Sequence, residues 1–226
     1  MKVANIEVEL LGSYGSDLEV VNAARVSFHK RANTLSPKDE KLIKYLAEHK
    51  HHSPFNHAFL SFRVKAPIFV ARQLVKHKFM PWNEVSRRYV DDEPEFYFPD
   101  YWRKKADNVK QGSSEEEVKE CQFLDEGIGE WWTMDCEEAS YHHINQCLNI
   151  YDSYLKAGVC PEQARMVLPQ NTMTNWVWSG TLGAFLDMLV LRLDEHTQKE
   201  TREVAEKIAV FVKTLFPVSY GAYIHA

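Results

Sequence analysis

Strand periodicity and helix-start signals alternate along the first half of this 226-residue chain. The opening segment places Ile6, Val8 and Leu10 at every second position, which predicts a half-buried strand. A helix is expected from Asp17, and a second one after Ser36, where a cap, a proline at the first helical position and a capping box coincide. These signals restrict the chain to folds that mix strands with helices.

The same signals predict further elements along the chain. Strands are expected over residues 58–64 and 94–99, and helices over 67–78, 141–158, 175–192 and 196–216. The polar stretch 103–120 predicts a surface insertion without chemistry. The second half is therefore expected to be largely helical.

Composition limits the classes of protein that this chain can belong to. Its length fits one domain, which we expect to span residues 1–226. A formal net charge of −5 argues against a general nucleic-acid or membrane-surface binder. The four cysteines show no metal or disulfide spacing, and no leader-like or membrane-spanning apolar stretch is present, so we expect a cytoplasmic protein.

A basic segment, Lys76 to Tyr89 (KHKFMPWNEVSRRY), stands out in this acidic chain. A helix ending in basic residues, followed by a turn that presents polar and cationic side chains, can bind a phosphate and a polar ring. This combination predicts a nucleotide site. By composition alone, an ordinary solvated face explains the cluster equally well.

Other chemical interpretations of the sequence are weaker. The four histidines between residues 49 and 57 lack the spacing of a zinc site, so no metal is predicted. Ser86 lacks a readable base and orienting partner, so we assign it to phosphate or sugar binding. The cysteines are expected to be small buried residues.

Two arginines are expected in apolar surroundings, where each must meet an anion. Arg165 precedes the segment MVLP, and Arg192 follows DMLVL. The partner is either a carboxylate, from Asp187, Asp194 or Glu195, or a bound substrate.

The order basic-His-basic followed by Asn-Glu-x-Ser-x-Arg-Tyr resembles the signature of the flavin-dependent thymidylate synthases, which methylate dUMP without a cysteine nucleophile. Five further segments occur in the family's order: SPFNH (53–57), FRVKAPIFVARQ (62–73), EFYFP (95–99), ARMVLP (164–169) and LRLDEHTQKE (191–200). Two departures are visible. Lys76 and Lys78 stand where the family usually has arginines, and Pro81 stands where it usually has serine.

The resemblance implies an α/β (α+β) fold with a curved, mostly antiparallel sheet covered by helices. It also implies a homotetramer with active sites between subunits. FAD would be the cofactor, with NADPH and methylenetetrahydrofolate as co-substrates, in the cytoplasm of a cell or of a virus's host. Small molecules, rather than nucleic acids or membranes, would be the partners.

The resemblance also implies roles for individual residues. Arg192 would contact the pyrimidine and make its C5 atom more nucleophilic, which makes it the expected catalytic residue. The expected contacts with dUMP are Gln73, Lys76, Glu84, Ser86, Arg87, Arg88, Arg165 and Arg192. The expected contacts with FAD are His51, Ser53, Lys76, His77, Lys78, Asn83, Glu84, Thr181 and Asp187.

Two alternatives stay open at this point. A related flavin enzyme could modify C5 of another pyrimidine nucleotide, which turnover with dUMP and dCMP would distinguish. A non-enzymatic nucleotide or single-strand binder could instead use the basic turn and Trp82, and it would purify colourless and bind with a steep salt dependence.

Overall fold

The computed structural model describes residues 1–90, 92–107, 112–125, 127 and 129–224. The strands are β1 (Lys2–Val3), β2 (Glu7–Tyr14), β3 (Phe59–Pro67), β4 (Trp82–Glu84), β5 (Glu95–Phe96), β6 (Arg103–Lys105), β7 (Ser113–Glu117), β8 (Glu120–Asp125), β9 (Glu130–Asp135) and β10 (Met173–Thr181). The α-helices are α1 (Asp17–Arg25), α2 (Pro37–Glu48), α3 (Ile68–Leu74), α4 (Cys136–Lys156), α5 (Pro161–Ala164), α6 (Leu182–Arg192), α7 (Lys199–Leu215) and α8 (Pro217–Ile224). Short 3-10 turns cover Val26–Phe28, Ser53–His57 and Arg165–Val167.

The chain divides into two compact units, each built from several segments. The first unit comprises Met1–Asn5, Pro67–Phe69 and Val85–Thr174. The second unit comprises Ile6–Ala66, Val70–Glu84 and Asn175–Ala226. The single domain expected from the sequence stays a prediction.

The second unit contains a four-stranded sheet in the order β2-β3-β10-β4. Strands β2 and β3 pair antiparallel, as do β10 and β4. The register of β2 shifts between Leu10 and Gly12, a bulge that increases the local twist and bends the strand. The predicted α/β fold with mostly antiparallel pairing is confirmed.

Burial on β3 follows the alternation that a one-sided strand requires. Leu60, Phe62 and Val64 are buried at every second position. The ring of Phe62 meets that of Phe185 on α6 edge to face, with centroids 5.1 Å apart. Helix α6 therefore packs against the sheet.

The described strands of the first unit form two-stranded sheets. Strand β1 runs parallel to β5, while β6 pairs with β7 and β8 with β9, both antiparallel. The surface insertion expected over residues 103–120 therefore contains strands, except that residues 108–111 lie outside the described part of the chain.

The helix starts that the sequence signalled are confirmed. The Ser16 hydroxyl accepts from the Leu18 N–H at 3.2 Å, and Glu19 completes a capping box before α1. At α2, the Asp39 carboxylate accepts from the backbone N–H of Ser36 at 2.9 Å and also pairs with Arg25. These contacts satisfy N–H groups that a helix leaves unpaired at its first turn.

The helix predicted over residues 175–192 is wrong in its first half. Residues 173–181 form β10, in which Trp176 and Trp178 are buried at alternate positions between neighbouring strands. Thr181 then caps α6 by accepting from the Ala184 N–H at 3.2 Å. Aromatic and β-branched residues favour a pleated surface when strands are available on both sides.

The basic segment also differs from its prediction. Helix α3 ends at Leu74, so Lys76, His77 and Lys78 lie in a turn, and Asn83 and Glu84 lie on β4. Over the residues that the structure describes, no helix has the length and apolarity needed to cross a membrane.

Candidate active site

Arg192, the expected catalytic residue, is the last residue of α6 and is half-buried. Its Nε donates to Nε2 of His77 at 3.0 Å, and its Nη2 donates to the backbone oxygen of Gln73 at 3.5 Å. The sequence predictions for dUMP and FAD thus converge here, since Gln73, His77 and Arg192 lie together in the second unit.

His77 is a neutral hydrogen-bond acceptor in this arrangement. Burial, and secondly the charge of Arg192, lower the pKa of His77 from 6.5 to about 4. Because Nε2 accepts from Arg192, the ring proton of the neutral imidazole belongs on Nδ1. Burial also lowers the pKa of Arg192, although a guanidinium stays charged at any physiological pH.

Arg192 forms no ion pair within the described part of the chain. The structure therefore does not pair it with Asp187, Asp194 or Glu195, the carboxylates considered from the sequence. Asp194 instead accepts from the backbone N–H of His196 at 2.8 Å, and Glu195 lies 3.7 Å from the His196 ring. Asp187 lies five residues earlier on α6 and is exposed. A half-buried guanidinium without a carboxylate is a candidate anion site.

The side chain of Gln73 is oriented by helix α7 and the residue before it. Thr201, which is fully buried, donates its hydroxyl proton to Gln73 Oε1 at 3.1 Å, and Gln73 Nε2 donates to Gln198 Oε1. Thr201 and Gln198 were not among the predicted site residues. Gln198 lies within the segment LRLDEHTQKE, so a signal for it was present in the sequence.

The turn that follows α3 exposes its cationic side chains. Lys76 and Lys78 are exposed, and Phe79 has a left-handed backbone with φ 62°. On β4, the Trp82 ring stacks on Trp176 with centroids 4.4 Å apart, and its indole N–H donates to Glu84 at 3.0 Å. Two ammonium groups free to reorient suit a phosphate or pyrophosphate.

The other end of α6 brings together the remaining flavin candidates. The Thr181 hydroxyl donates its proton to Asn56 Oδ1 at 2.7 Å, so this proton is already engaged within the protein. Gly183 allows this contact, because a Cβ atom there would lie 2.5 Å from Asn56 Oδ1. Ser53 begins the same 3-10 turn that contains Asn56 and is exposed.

His51, just before that turn, is exposed and lies against the ring of Tyr45, with centroids 6.0 Å apart. Asp187, in the middle of α6, is close enough to His52 and Tyr223 to interact electrostatically with both. Asp187 is exposed as a residue, but burial around its carboxyl group raises the pKa of that group, and the charge of His52 opposes the rise. His57, the last residue of that turn, is also exposed.

Four predicted dUMP contacts belong to the first unit. The Ser86 hydroxyl accepts from the Arg88 backbone at 3.3 Å and from its Nε at 3.2 Å, while Arg87 donates to the Asp92 oxygen at 2.9 Å. Arg165 is exposed, and its Nε donates to the Glu162 oxygen at 3.3 Å. The expectation of apolar surroundings for Arg165 is therefore wrong, because it begins a surface 3-10 turn.

No cluster of three or more potential metal ligands is found among the residues that the structure describes. The four cysteines are free, with only Cys147 buried. The expectation that all four are buried is therefore wrong for Cys121, Cys136 and Cys160.

Comparison with known proteins identifies the family. The family profile described as thymidylate synthase complementing protein matches residues 9–218. The chain belongs to this family. Its relatives include the flavin-dependent thymidylate synthases of Thermosipho melanesiensis, 36% identical over 96% of this chain and 90% of the relative, and Thermus thermophilus, 38% identical over 96% and 74%.

A solved structure of similar fold agrees with this assignment. The UMP/dUMP methylase PolB from Streptomyces cacaoi, bound with 5-Br dUMP, superposes with a TM-score of 0.84 at 28% identity and covers 100% of this chain and 97% of its own. The predicted family, and with it an enzyme of the methyltransferase class, is confirmed.

The residues present fit the flavin that the family name implies. Exposed imidazole, hydroxyl and amide groups can meet the polar edges of a ring system, and exposed ammonium groups can meet a pyrophosphate. These groups are His51, Ser53, Lys76, Lys78 and Asn83, all in the second unit.

Proposed function

We propose that this protein is an FAD-dependent thymidylate synthase. It would convert dUMP, methylenetetrahydrofolate, NADPH and a proton into dTMP, tetrahydrofolate and NADP⁺. Family membership supports the reaction class. The observation that carries the proposal is Arg192, a half-buried cation held by a neutral histidine and without a carboxylate partner in the described residues.

Arg192 is suited to stabilise negative charge on a pyrimidine. Its Nε and Nη2 are engaged by His77 and Gln73, which leaves Nη1 to donate to a ring carbonyl oxygen. Partial burial strengthens such a bond relative to water. Charge stabilised on that oxygen makes C5 of the ring more nucleophilic, which is what methylation without a cysteine requires.

The surrounding residues prepare this group before substrate arrives. The C-terminal end of α6 favours a cation there through the helix dipole. A protonated His77 could not accept from Arg192, so the low pKa of His77 preserves the geometry at neutral pH. When bound, the flavin supplies the hydride chemistry that no side chain of this chain can provide.

We assign residues of the second unit to dUMP binding and to FAD binding. Gln73, Lys76, Glu84 and Arg192 would hold dUMP, and His51, Ser53, Lys76, His77, Lys78, Asn83, Glu84, Thr181 and Asp187 would hold FAD. The dUMP contacts expected in the first unit, Ser86, Arg87, Arg88 and Arg165, stay predictions.

A ribonucleotide substrate is the second candidate. It is favoured by one observation, the similarity to a protein described as a UMP/dUMP methylase. Turnover of UMP beside dUMP distinguishes the two substrates directly.

We further propose a homotetramer that acts in the cytoplasm, a compartment in which free thiols such as those of this chain persist.

The decisive experiment combines a spectrum with a turnover assay. Purified protein should be yellow, or take up FAD at tens of micromolar, which corresponds to a binding free energy of about −6 kcal/mol. It should then form dTMP from dUMP with the folate and NADPH. A colourless protein that does not take up FAD would contradict the proposal and favour a non-enzymatic nucleotide binder.

A further inference from the structure

Tyr223, on α8, contacts one residue within a short turn and another residue immediately before that turn. Its hydroxyl lies 2.9 Å from Nδ1 of His52, the residue immediately before the 3-10 turn Ser53–His57. Its ring packs edge to face on Phe55, with centroids 4.9 Å apart. Phe55 is fully buried, whereas His52 is exposed. Tyr223 therefore connects a buried residue of the turn to an exposed residue beside it.

Helix α8 is itself firmly attached. The buried carboxylate of Asp17 accepts from the backbone N–H groups of Val218 and Ser219, each at 2.9 Å, and from the Ser219 hydroxyl at 2.5 Å. A carboxylate at a helix N-terminus satisfies free N–H groups and interacts favourably with the helix dipole. Tyr223 therefore lies on a helix whose first turn is held in place by hydrogen bonds.

The Tyr223 hydroxyl can act as the donor in its bond to His52. Burial, and secondly the charge of Asp187, raise the pKa of Tyr223 to about 12, so the phenol stays protonated at neutral pH. When it donates to Nδ1, a neutral His52 carries its proton on Nε2. One hydrogen bond thus sets both the orientation and the tautomer of the ring.

We propose that Tyr223 is a positioning residue for the flavin site, acting through His52 on the segment His51–Ser53. This inference rests on the proposed function, in which His51 and Ser53 contact FAD. Ser53 lies between the two residues that Tyr223 contacts, so these contacts restrict the movement of its backbone. Preorganisation of this kind lowers the entropy lost when a ligand binds.

The test is a double-mutant cycle read out as FAD affinity. Tyr223→Phe removes the hydroxyl and retains the packing on Phe55, and we expect the Kd for FAD to rise about fivefold, the effect of losing one hydrogen bond. His52→Ala should raise the Kd as well, and Tyr223→Phe should then have no further effect. Because His52 is exposed, His52→Ala tests the same bond even if a change at Tyr223 disturbs folding.

Two further variants make the result specific. His52→Asn keeps a polar atom near the position of Nδ1 and should restore FAD affinity towards the wild-type value. Tyr220→Phe, on the same helix, removes a hydroxyl that has no hydrogen-bond partner among the described residues, and should leave the Kd unchanged. Thermal unfolding of each apo-protein separates a local effect from a loss of fold.

The outcomes distinguish this inference from the proposed function. If wild-type protein binds no FAD, the proposed function fails. If wild-type protein binds FAD and makes dTMP while Tyr223→Phe binds FAD equally well, only the role of Tyr223 is overturned. An effect of Tyr223→Phe that persists undiminished in the His52→Ala background would also overturn it.

Discussion

The guanidinium of Arg192 and the imidazole of His77 share one hydrogen bond, and burial disfavours the charged form of both. Only the imidazole responds by staying neutral, since a guanidinium keeps its proton. The pair therefore carries one positive charge, on Arg192, and its hydrogen bond runs from the guanidinium to the imidazole. Three experiments follow from individual side chains near this pair.

Arg192→Ala should retain FAD and lose dTMP formation by about a hundredfold or more, the usual cost of removing a preorganised charge at a developing oxyanion. Arg192→Lys is the matched control: it keeps the charge but loses the bond from Nε to His77, so its turnover should fall between those of wild type and the alanine variant. The measurement is dTMP formed per flavin at saturating substrates. Turnover near wild type in the alanine variant would remove Arg192 from the mechanism.

The depressed pKa of His77 predicts a specific loss of stability in acid. The unfolded chain binds a proton at this site near pH 6.5, but the folded protein does so only near pH 4. The contribution of His77 to stability is therefore complete above about pH 6.5 and declines as the pH falls towards 4. Solvent around the half-buried ring limits the loss to about 1–2 kcal/mol.

His77→Gln tests this linkage, because glutamine can accept from Arg192 but does not titrate. Urea unfolding of both proteins between pH 4 and 7 should show the wild type losing stability relative to the variant as the pH falls. Parallel curves for the two proteins would show that His77 is not the group responsible.

The two lysines of the turn make a further prediction, since an ammonium is a point charge while a guanidinium offers a fork. The double variant Lys76→Arg, Lys78→Arg should bind FAD and dUMP more tightly and with less sensitivity to salt. Both wild-type lysines are exposed, so the change should not affect folding. Titrations at two ionic strengths provide the check, and weaker binding by the variant would mean that the lysines are adapted to this site.

At the scale of elements, the approach of the turn Ser53–His57 to the start of α6 depends on Gly183. A methyl group there would lie 2.5 Å from Asn56 Oδ1 and 3.4 Å from the Phe55 Cβ atom. Gly183→Ala should therefore destabilise the protein by about 1 kcal/mol, the lower end of the usual cost of overpacking, since alanine also favours the helix.

The control for this prediction is the same substitution in an Asn56→Ala background, where the clashing oxygen is absent. There Gly183→Ala should be neutral or slightly stabilising in chemical unfolding. If it destabilises both backgrounds equally, the close contact with Asn56 is not the cause.

Local chemistry made some elements predictable and others not. The starts of α1 and α2 depend on side chains within three residues of the cap, so the sequence displays them directly. Strand β10 could not be distinguished from a helix in the same way, because its apolar residues are explained by neighbouring strands that are distant in sequence.

The candidate site shows the same division. Gln73, His77 and Arg192 were predicted from motif order and lie together, whereas the apolar surroundings expected for Arg165 were inferred from a short sequence window and are wrong. Tyr223 carries no motif at all. Its contact with His52 joins residues that are 171 positions apart, and nothing local to either residue indicates it.

At the scale of the whole molecule, the proposed homotetramer gives a direct prediction. Light scattering coupled to gel filtration should give about four times the 26.3 kDa mass of one chain. Because an active site shared between subunits requires assembly, activity per chain should fall on dilution below the dissociation range. A monomer with full activity would contradict the proposed assembly.

The bond between Asp17 and the start of α8 also has a consequence during protein synthesis. Ser219 is synthesised 202 residues after Asp17, so the carboxylate of Asp17 has no partner there until that point. At about 5–20 residues per second, the ribosome takes roughly 10–40 s to deliver them. During that interval the Asp17 carboxylate of α1 stays in water, so its bonds to α8 cannot form until α8 has been synthesised.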